Sequence, residues 1–236
     1  MPSEYAHNVN QHQTFLNFIV GKCNEHAFDV CVATAQSPRE KINPIFIVGE
    51  SNTGKTHLLN AMAFEIKKNN PYFRIWHLNK ENLYSELFEK IKGITNRRLT
   101  EEYLEQYDAL FFEDISMLKI LKSTQVELCH VANEFIKHKK QFVITSDHKP
   151  GNSKIFDSGI KNLINIGLIT VVTKPDLETR IKASKCFLHN YNIKLSQNNL
   201  YRLVKKSRRS LAELRKNMLM AKLIDDVKTI QPHRYE

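Results

Sequence analysis

A chain of 236 residues is long enough for one α/β domain of about 150 residues with a smaller domain beside it. No apolar run approaches the roughly 20 residues that a bilayer crossing needs, so no membrane span or signal peptide is expected and the chain reads as cytoplasmic. The formal charge of +10 is unevenly placed: residues 1–147 carry 17 Lys/Arg against 18 Asp/Glu and residues 148–236 carry 18 against 7, which points the last third toward an acidic partner such as nucleic acid.

The four cysteines, Cys23, Cys31, Cys129 and Cys186, form no CxxC pair, and no histidines stand at zinc-finger or HExxH spacing. Buried reduced thiols are therefore expected rather than disulfides or a metal. Residues 1–13 are polar and read as a flexible N-terminus. Thr14 to Asn24 is an aromatic and aliphatic segment, followed by a helical pattern from about Glu25 to Ala35. Phe15 and Phe18 could wall an aromatic ring of a ligand or pack on the core, and the spacing favours the core.

Ile45 to Val48 is an apolar strand that enters Gly49-Glu50-Ser51-Asn52-Thr53-Gly54-Lys55-Thr56, and a helix with Leu58, Leu59 and Met62 on one face leaves it. The spacing GxxxxGK[ST] between a strand and a helix is that of a phosphate-binding loop. Its glycines let successive N–H groups turn toward a phosphate at a helix start, where the helix dipole favours negative charge. Lys55 would reach the β and γ phosphates and Thr56 would hold Mg²⁺.

Asn69-Asn70-Pro71 ends that helix, and Phe73 to Leu78 reads as the second strand. Asn79 to Tyr107 is helical and charged, with a possible break at Gly93, around which Lys90, Lys92, Arg97 and Arg98 collect. A phosphate backbone and a solvated surface explain those four equally well. Tyr107 to Ile115 is an apolar strand ending in Glu113 and Asp114; such acids after a phosphate loop can hold Mg²⁺ and orient the attacking water. A helix over Ser123 to Lys137 leads to the strand Gln141 to Asp147, whose polar end would face the γ phosphate if it lies next to the phosphate-loop strand. A short strand, Leu168 to Val172, precedes three helices: one starting at Pro175 and running to about Asn190, one over Ser196 to Lys206, and one over Ser210 to Val227.

Thr14-Phe-x-Asn-Phe-Ile-Val-Gly-x-x-Asn24, the Gly49 to Leu59 loop, the Tyr107 to Ile115 strand, Ser123-Thr-Gln125, Thr145-Ser-Asp147 and Pro175-Asp-Leu-Glu-Thr-Arg180 follow one another in the order and spacing of the AAA+ domain of the bacterial replication initiator family, DnaA. The resemblance covers about Thr14 to Leu223. It implies an α/β AAA+ P-loop fold, with a five-stranded parallel sheet over residues 14–173 and a small all-helical lid over 174–236, binding ATP or ADP with Mg²⁺.

Residue by residue, Gly49, Glu50, Ser51, Asn52, Thr53, Gly54, Lys55 and Thr56 resemble Walker A, with His57 following. Glu113 and Asp114 resemble Walker B, Asp147 resembles sensor I, and Phe18, Ile19, Val20 and Asn24 resemble the adenine and ribose segment. The implied catalytic set is Asp114, Glu113 and Asp147, and the implied metal ligands are Thr56 and Glu113. Residues 79–106 resemble the insertion that lines a single-strand DNA path, which adds weight to Lys90, Lys92, Arg97 and Arg98.

The departures are specific. The arginine-finger position falls on Leu163, the arginine before it on Gly159, and the sensor II arginine on Ala212; Walker B begins with Glu rather than Asp. An arginine finger contributes about 10³ to 10⁵ in rate, so nucleotide binding with weak hydrolysis is expected. No helix-turn-helix domain follows the lid, so origin recognition by that route is not expected. The implied partners are adenine nucleotide, single-stranded or origin DNA, and a DnaA-type initiator or a second copy of the chain. The alternatives are a non-hydrolysing regulatory adaptor similar to Hda, or a protein of the helicase-loader type.

Overall fold

The computed structural model describes residues 10–39, 42–82, 97–118, 122–148 and 156–230, with the side chains of 97–100, 122–123 and 225–230 left aside. These residues fall into two compact units. The larger holds the described residues up to Phe18, His26–Glu50 and Gly54–Val172; the smaller holds Ile19–Glu25, Ser51–Thr53 and the described residues from Thr173.

In the larger unit, β1 (Ile45–Val48), β2 (Ile75–Leu78), β3 (Ala109–Phe112), β4 (Gln141–Ser146) and β5 (Leu168–Val171) form one sheet in the order β2-β3-β4-β1-β5. Every pairing is parallel. The expected five-stranded parallel sheet is present. β1 to β4 are buried along their whole length, as parallel strands covered on both faces must be, which is why β1 and β3 read as unbroken apolar runs rather than alternating ones.

Successive residues point to opposite faces of the sheet. Phe46, Val48, Trp76, Leu110, Phe112 and Ile144 meet Leu128, Ala132 and Phe135 of α4 (Lys122–Lys137) and Ile160 and Leu163 of α5 (Ser158–Ile166). On the other face, Ile45, Ile47, Ala109, Phe111 and Val143 meet Ala27 and Cys31 of α1 (Glu25–Gln36) and Leu58, Leu59, Met62 and Ile66 of α2 (Lys55–Asn69). α3 (Arg97–Gln106) adds Tyr103, whose ring stacks 4.2 Å from that of Trp76.

Helix α5 is absent from the sequence-based expectation. Gly159 and two asparagines lower its intrinsic helicity, yet Asp157 starts it by accepting the Ile160 N–H at 2.8 Å, and its apolar stripe packs on the sheet. At the other end of the chain's order, residues 1–9 of the segment expected to be flexible lie outside the described residues, while Asn10 and Gln13 are tied to Asn60 of α2.

The smaller unit contains α6 (Leu177–Asn190), α7 (Gln197–Lys206) and α8 (Leu211–Ile230) around Ala183, Ile193, Val204, Leu214 and Met218. Its helix starts are capped by side chains, as Asp176 accepts from Thr179 N, Ser196 from Asn199 N and Ser210 from Glu213 N. Pro175 directly precedes the α6 cap, near the helix's first turn as expected. Buried Arg180 donates to the Asp176 and Ser207 carbonyls and so ties the start of α6 to the end of α7.

Candidate phosphate and metal site

Three strand ends meet the phosphate loop because β4 lies between β1 and β3. Gly49 N–H donates to Ser146 O at 3.0 Å, extending the β1–β4 ladder by one residue beyond the strand. Asn52 (φ 64°) and Gly54 (φ 108°) then take left-handed backbone conformations, and α2 begins at Lys55. At Gly54 a side chain is opposed twice: its φ disfavours a Cβ, and that Cβ would stand 3.3 Å from Phe18 Cε2.

Lys55 is only 6% exposed. Its ammonium donates to Gly49 O at 2.7 Å and Glu50 O at 2.9 Å, and pairs with Asp147 Oδ1 at 2.7 Å. These three partners satisfy the donors of a nearly buried ammonium. The Thr56 hydroxyl donates to Glu113 Oε1, and Glu113 Oε2 lies 3.7 Å from His77 Nε2.

Asp114, at φ 58°, has its N–H bound to Thr145 Oγ1 at 2.8 Å, and its carboxylate accepts the Ser116 N–H at 3.1 Å. The strand-end turn is thereby fixed so that Glu113 reaches Thr56 while Asp114 caps the 3₁₀ turn Ile115–Leu118. Thr56 and Glu113 supply hard oxygen donors. Among the described residues no three His, Cys, Asp or Glu side chains converge on a metal position. Few protein oxygens beside a phosphate loop suit Mg²⁺, which keeps waters and shares phosphate ligands, better than a metal needing an all-protein cage.

Phe18 stacks on Phe28 (5.8 Å, 15°) and meets His57 edge-on (5.1 Å, 79°), while Phe15 packs edge-on against Phe28; both rings lie against the sheet's core as their spacing suggests. His57 Nε2 lies 2.9 Å from Thr14 O, so the ring anchors the segment ahead of Phe18. Burial pushes the His57 imidazole below its ordinary value, opposed by that hydrogen bond.

In the smaller unit, Ile19 packs with the helical core, Val20 O accepts from Lys182 at 3.1 Å, and Asn24 is buried with both ends of its amide engaged. Asn24 Oδ1 accepts Gly21 N–H at 2.9 Å and Nδ2 donates to Ile19 O at 3.0 Å, so this side chain shapes the 19–24 loop. Ser51 and Thr53 flank Asn52 in the phosphate loop.

Of the sequence-derived candidates, Lys55 meets Asp147 and Thr56 meets Glu113 in direct contacts. Lys90 and Lys92 lie outside the described residues, as do the side chains of Arg97 and Arg98, which open α3. Leu163 is 1% exposed in the sheet core, a Cβ on Gly159 would stand 2.9 Å from Cys129 Sγ, and Ala212 is exposed on α8. Sequence reasoning missed His77, which lies beside Glu113, and read Thr145 only as part of the Thr145-Ser-Asp147 motif without its bond to the Asp114 N–H. Both contacts are found only once β2 and β4 are known to flank β3.

The family profile described as the bacterial DnaA ATPase domain matches residues 9–171. The chromosomal replication initiator protein DnaA of Bdellovibrio bacteriovorus is 30% identical over 227 residues, which is 96% of this chain and 48% of that protein. This chain thus spans about half the length of that relative. The crystal structure of domain III from the Thermotoga maritima replication initiation protein DnaA is similar with a TM-score of 0.83 and 28% identity, over 94% of this chain and 92% of the other. A structure of replication initiator DnaA bound to AMPPCP and single-stranded DNA is similar with a TM-score of 0.81 and 27% identity, over 92% of this chain and 66% of the other.

Proposed function

This chain belongs to the family of the bacterial DnaA ATPase domain, and we propose that it binds ATP or ADP with Mg²⁺ and serves as a nucleotide-gated module in the initiation of chromosomal DNA replication or its control. The meeting of Lys55 with Asp147 and of Thr56 with Glu113 carries this reading. Lys55 and the amides of Gly49 to Thr56 hold the phosphates. Thr56 and Glu113 hold the ion. When bound, Mg²⁺ neutralises charge on the phosphates and the nucleotide supplies a cleavable anhydride.

Asp114 and Asp147 are the groups proposed to orient a water or hold its proton. Phe18, Ile19, Val20 and Asn24 are the residues that the family resemblance assigns to the base and ribose; His57 meets the Phe18 ring, and Asn24 keeps the shape of the 19–24 loop. Turnover is slow, because Leu163, Gly159 and Ala212 offer no cation for developing transition-state charge.

Likeness to an initiator bound to single-stranded DNA supports single-stranded or origin DNA as a partner, with Lys90, Lys92, Arg97 and Arg98 as the proposed contacts. A DnaA-type initiator or a second copy of the chain is the proposed protein partner, in the cytoplasm; among the described residues no helix is long and apolar enough to cross a membrane. The adaptor and helicase-loader alternatives are less well supported, because the family match is to the initiator ATPase domain itself. Sedimentation of the chain with AMPPCP and with ADP, alone and with a DnaA-type initiator, tests the gating. Assembly that depends on AMPPCP is expected, and equal behaviour in both nucleotides would contradict it.

A further inference from the structure

We infer that the exposed face of α7 is a second nucleic-acid site, taking single-stranded DNA with a base stacked on Tyr201 and phosphates on Lys205, Lys206 and Arg208. Tyr201, Arg202, Lys205, Lys206 and Arg208 line an open groove of about 640 Å³. Tyr201 is 54% exposed, on a helix whose apolar side is turned inward. Lys205 Nζ lies 5.8 Å from the centre of that ring, so a cation and an aromatic face are presented together.

Four cations share the groove, and among the described residues none of them forms an ion pair with a carboxylate. Arg208 is steadied instead by donating from Nε to Lys205 O at 3.1 Å, which leaves its Nη groups for an external acceptor. The helix dipole favours Lys205 and Lys206 in the last turn of α7, but Arg202 precedes that turn and Tyr201 gains nothing from the dipole.

The chemistry of the occupant follows from what the groove offers and lacks. Uncompensated positive charge asks for a polyanion. An anionic lipid surface would also need apolar anchors, yet Leu200, Leu203 and Val204 of α7 pack into the core of the helical unit. Duplex DNA offers phosphates but keeps its base faces stacked. A single strand offers both, and an exposed ring beside cations is the combination that sequence-tolerant single-strand binders use.

This inference goes beyond the nucleotide reading and uses none of its residues. The test is anisotropy of a labelled oligothymidylate with the full chain over a range of salt, comparing Lys205→Ala/Lys206→Ala/Arg208→Ala, Tyr201→Ala, Tyr201→Phe, the charge-preserving Lys205→Arg/Lys206→Arg, Lys90→Ala/Lys92→Ala, and Lys55→Ala. The triple variant should lose affinity and make the log–log salt slope shallower by about 2, at about 0.7 per single-strand phosphate. Tyr201→Ala should weaken binding about fivefold or more, while Tyr201→Phe and the double arginine variant keep it.

These losses should persist in the Lys90→Ala/Lys92→Ala background. Lys55→Ala should bind the oligonucleotide like wild type while losing ATP, and the triple variant the reverse, so failure of one reading is separable from failure of the other. Absence of oligothymidylate binding, an unchanged slope in the triple variant, or stronger binding to a duplex of equal length or to phosphatidylserine vesicles would overturn the inference.

Discussion

Lys55 and Asp147 lie on different elements, the first turn of α2 and the end of β4, and meet at 2.7 Å because β4 is hydrogen-bonded to the strand that leads into the phosphate loop. The same carboxylate that steadies Lys55 would compete with a phosphate for it. Replacing Asp147 by Asn removes the competing charge and keeps a hydrogen-bond acceptor. Asp147→Asn is therefore expected to bind ATP at least as tightly as wild type, whereas Asp147→Asn turnover should fall; weaker ATP binding in a calorimetric titration would contradict the competition.

Glu113 and Thr56 are expected to carry the Mg²⁺ dependence of binding. Glu113→Gln removes the charge but keeps the hydrogen bond to Thr56, so it should bind nucleotide without the gain in affinity that Mg²⁺ gives the wild type. Titrations with and without EDTA measure this. A full Mg²⁺ effect in the variant would place the ion elsewhere.

Restoring an arginine at position 163 should unfold the domain rather than restore catalysis. Leu163 is 1% exposed within the sheet core, and a buried unpaired guanidinium costs about 4 kcal/mol or more. Leu163→Met, which conserves volume, should cost no more than about 1.5 kcal/mol. Urea melts of both variants distinguish a packing position from an exposed one.

Most of this architecture is written in the chain, and the gaps have physical reasons. Ile45 to Val48 and Ala109 to Phe112 announce themselves as buried parallel strands because both of their faces are apolar. Lys55, Thr56 and Glu113 follow from local spacing, since a phosphate loop is a contiguous backbone device. The Lys55–Asp147 contact depended on strand order, which spacing alone left open. Helix α5 was hidden by Gly159, whose helix-weakening backbone is overridden by tertiary packing of Ile160, Leu163 and Ile164. The Thr145 bond to the Asp114 N–H and the approach of His77 to Glu113 cross from one strand to the next, and local spacing does not encode them.

Protonation of His57 should destabilise the larger unit. Burial lowers its pKa from the ordinary 6.5, and its Nε2 hydrogen bond to Thr14 O is already made by the neutral ring. A histidine depressed on folding contributes stability that is present above about pH 6.5 and lost as the pH falls through the folded value. Melting temperatures between about pH 7.5 and pH 5 should therefore fall further for wild type than for His57→Gln. Parallel curves would remove His57 from the pH response.

The most direct measurement is a calorimetric titration of Mg²⁺–ATP into the wild-type chain and Lys55→Ala, with phosphate release followed on the same samples. Loss of a charged hydrogen-bonding partner of this kind should weaken binding about 10- to 100-fold. Saturable binding by wild type, that loss in Lys55→Ala, and phosphate release near background are the predicted results. Equal heats from both proteins, or no binding by wild type, would contradict a nucleotide-binding role for the loop.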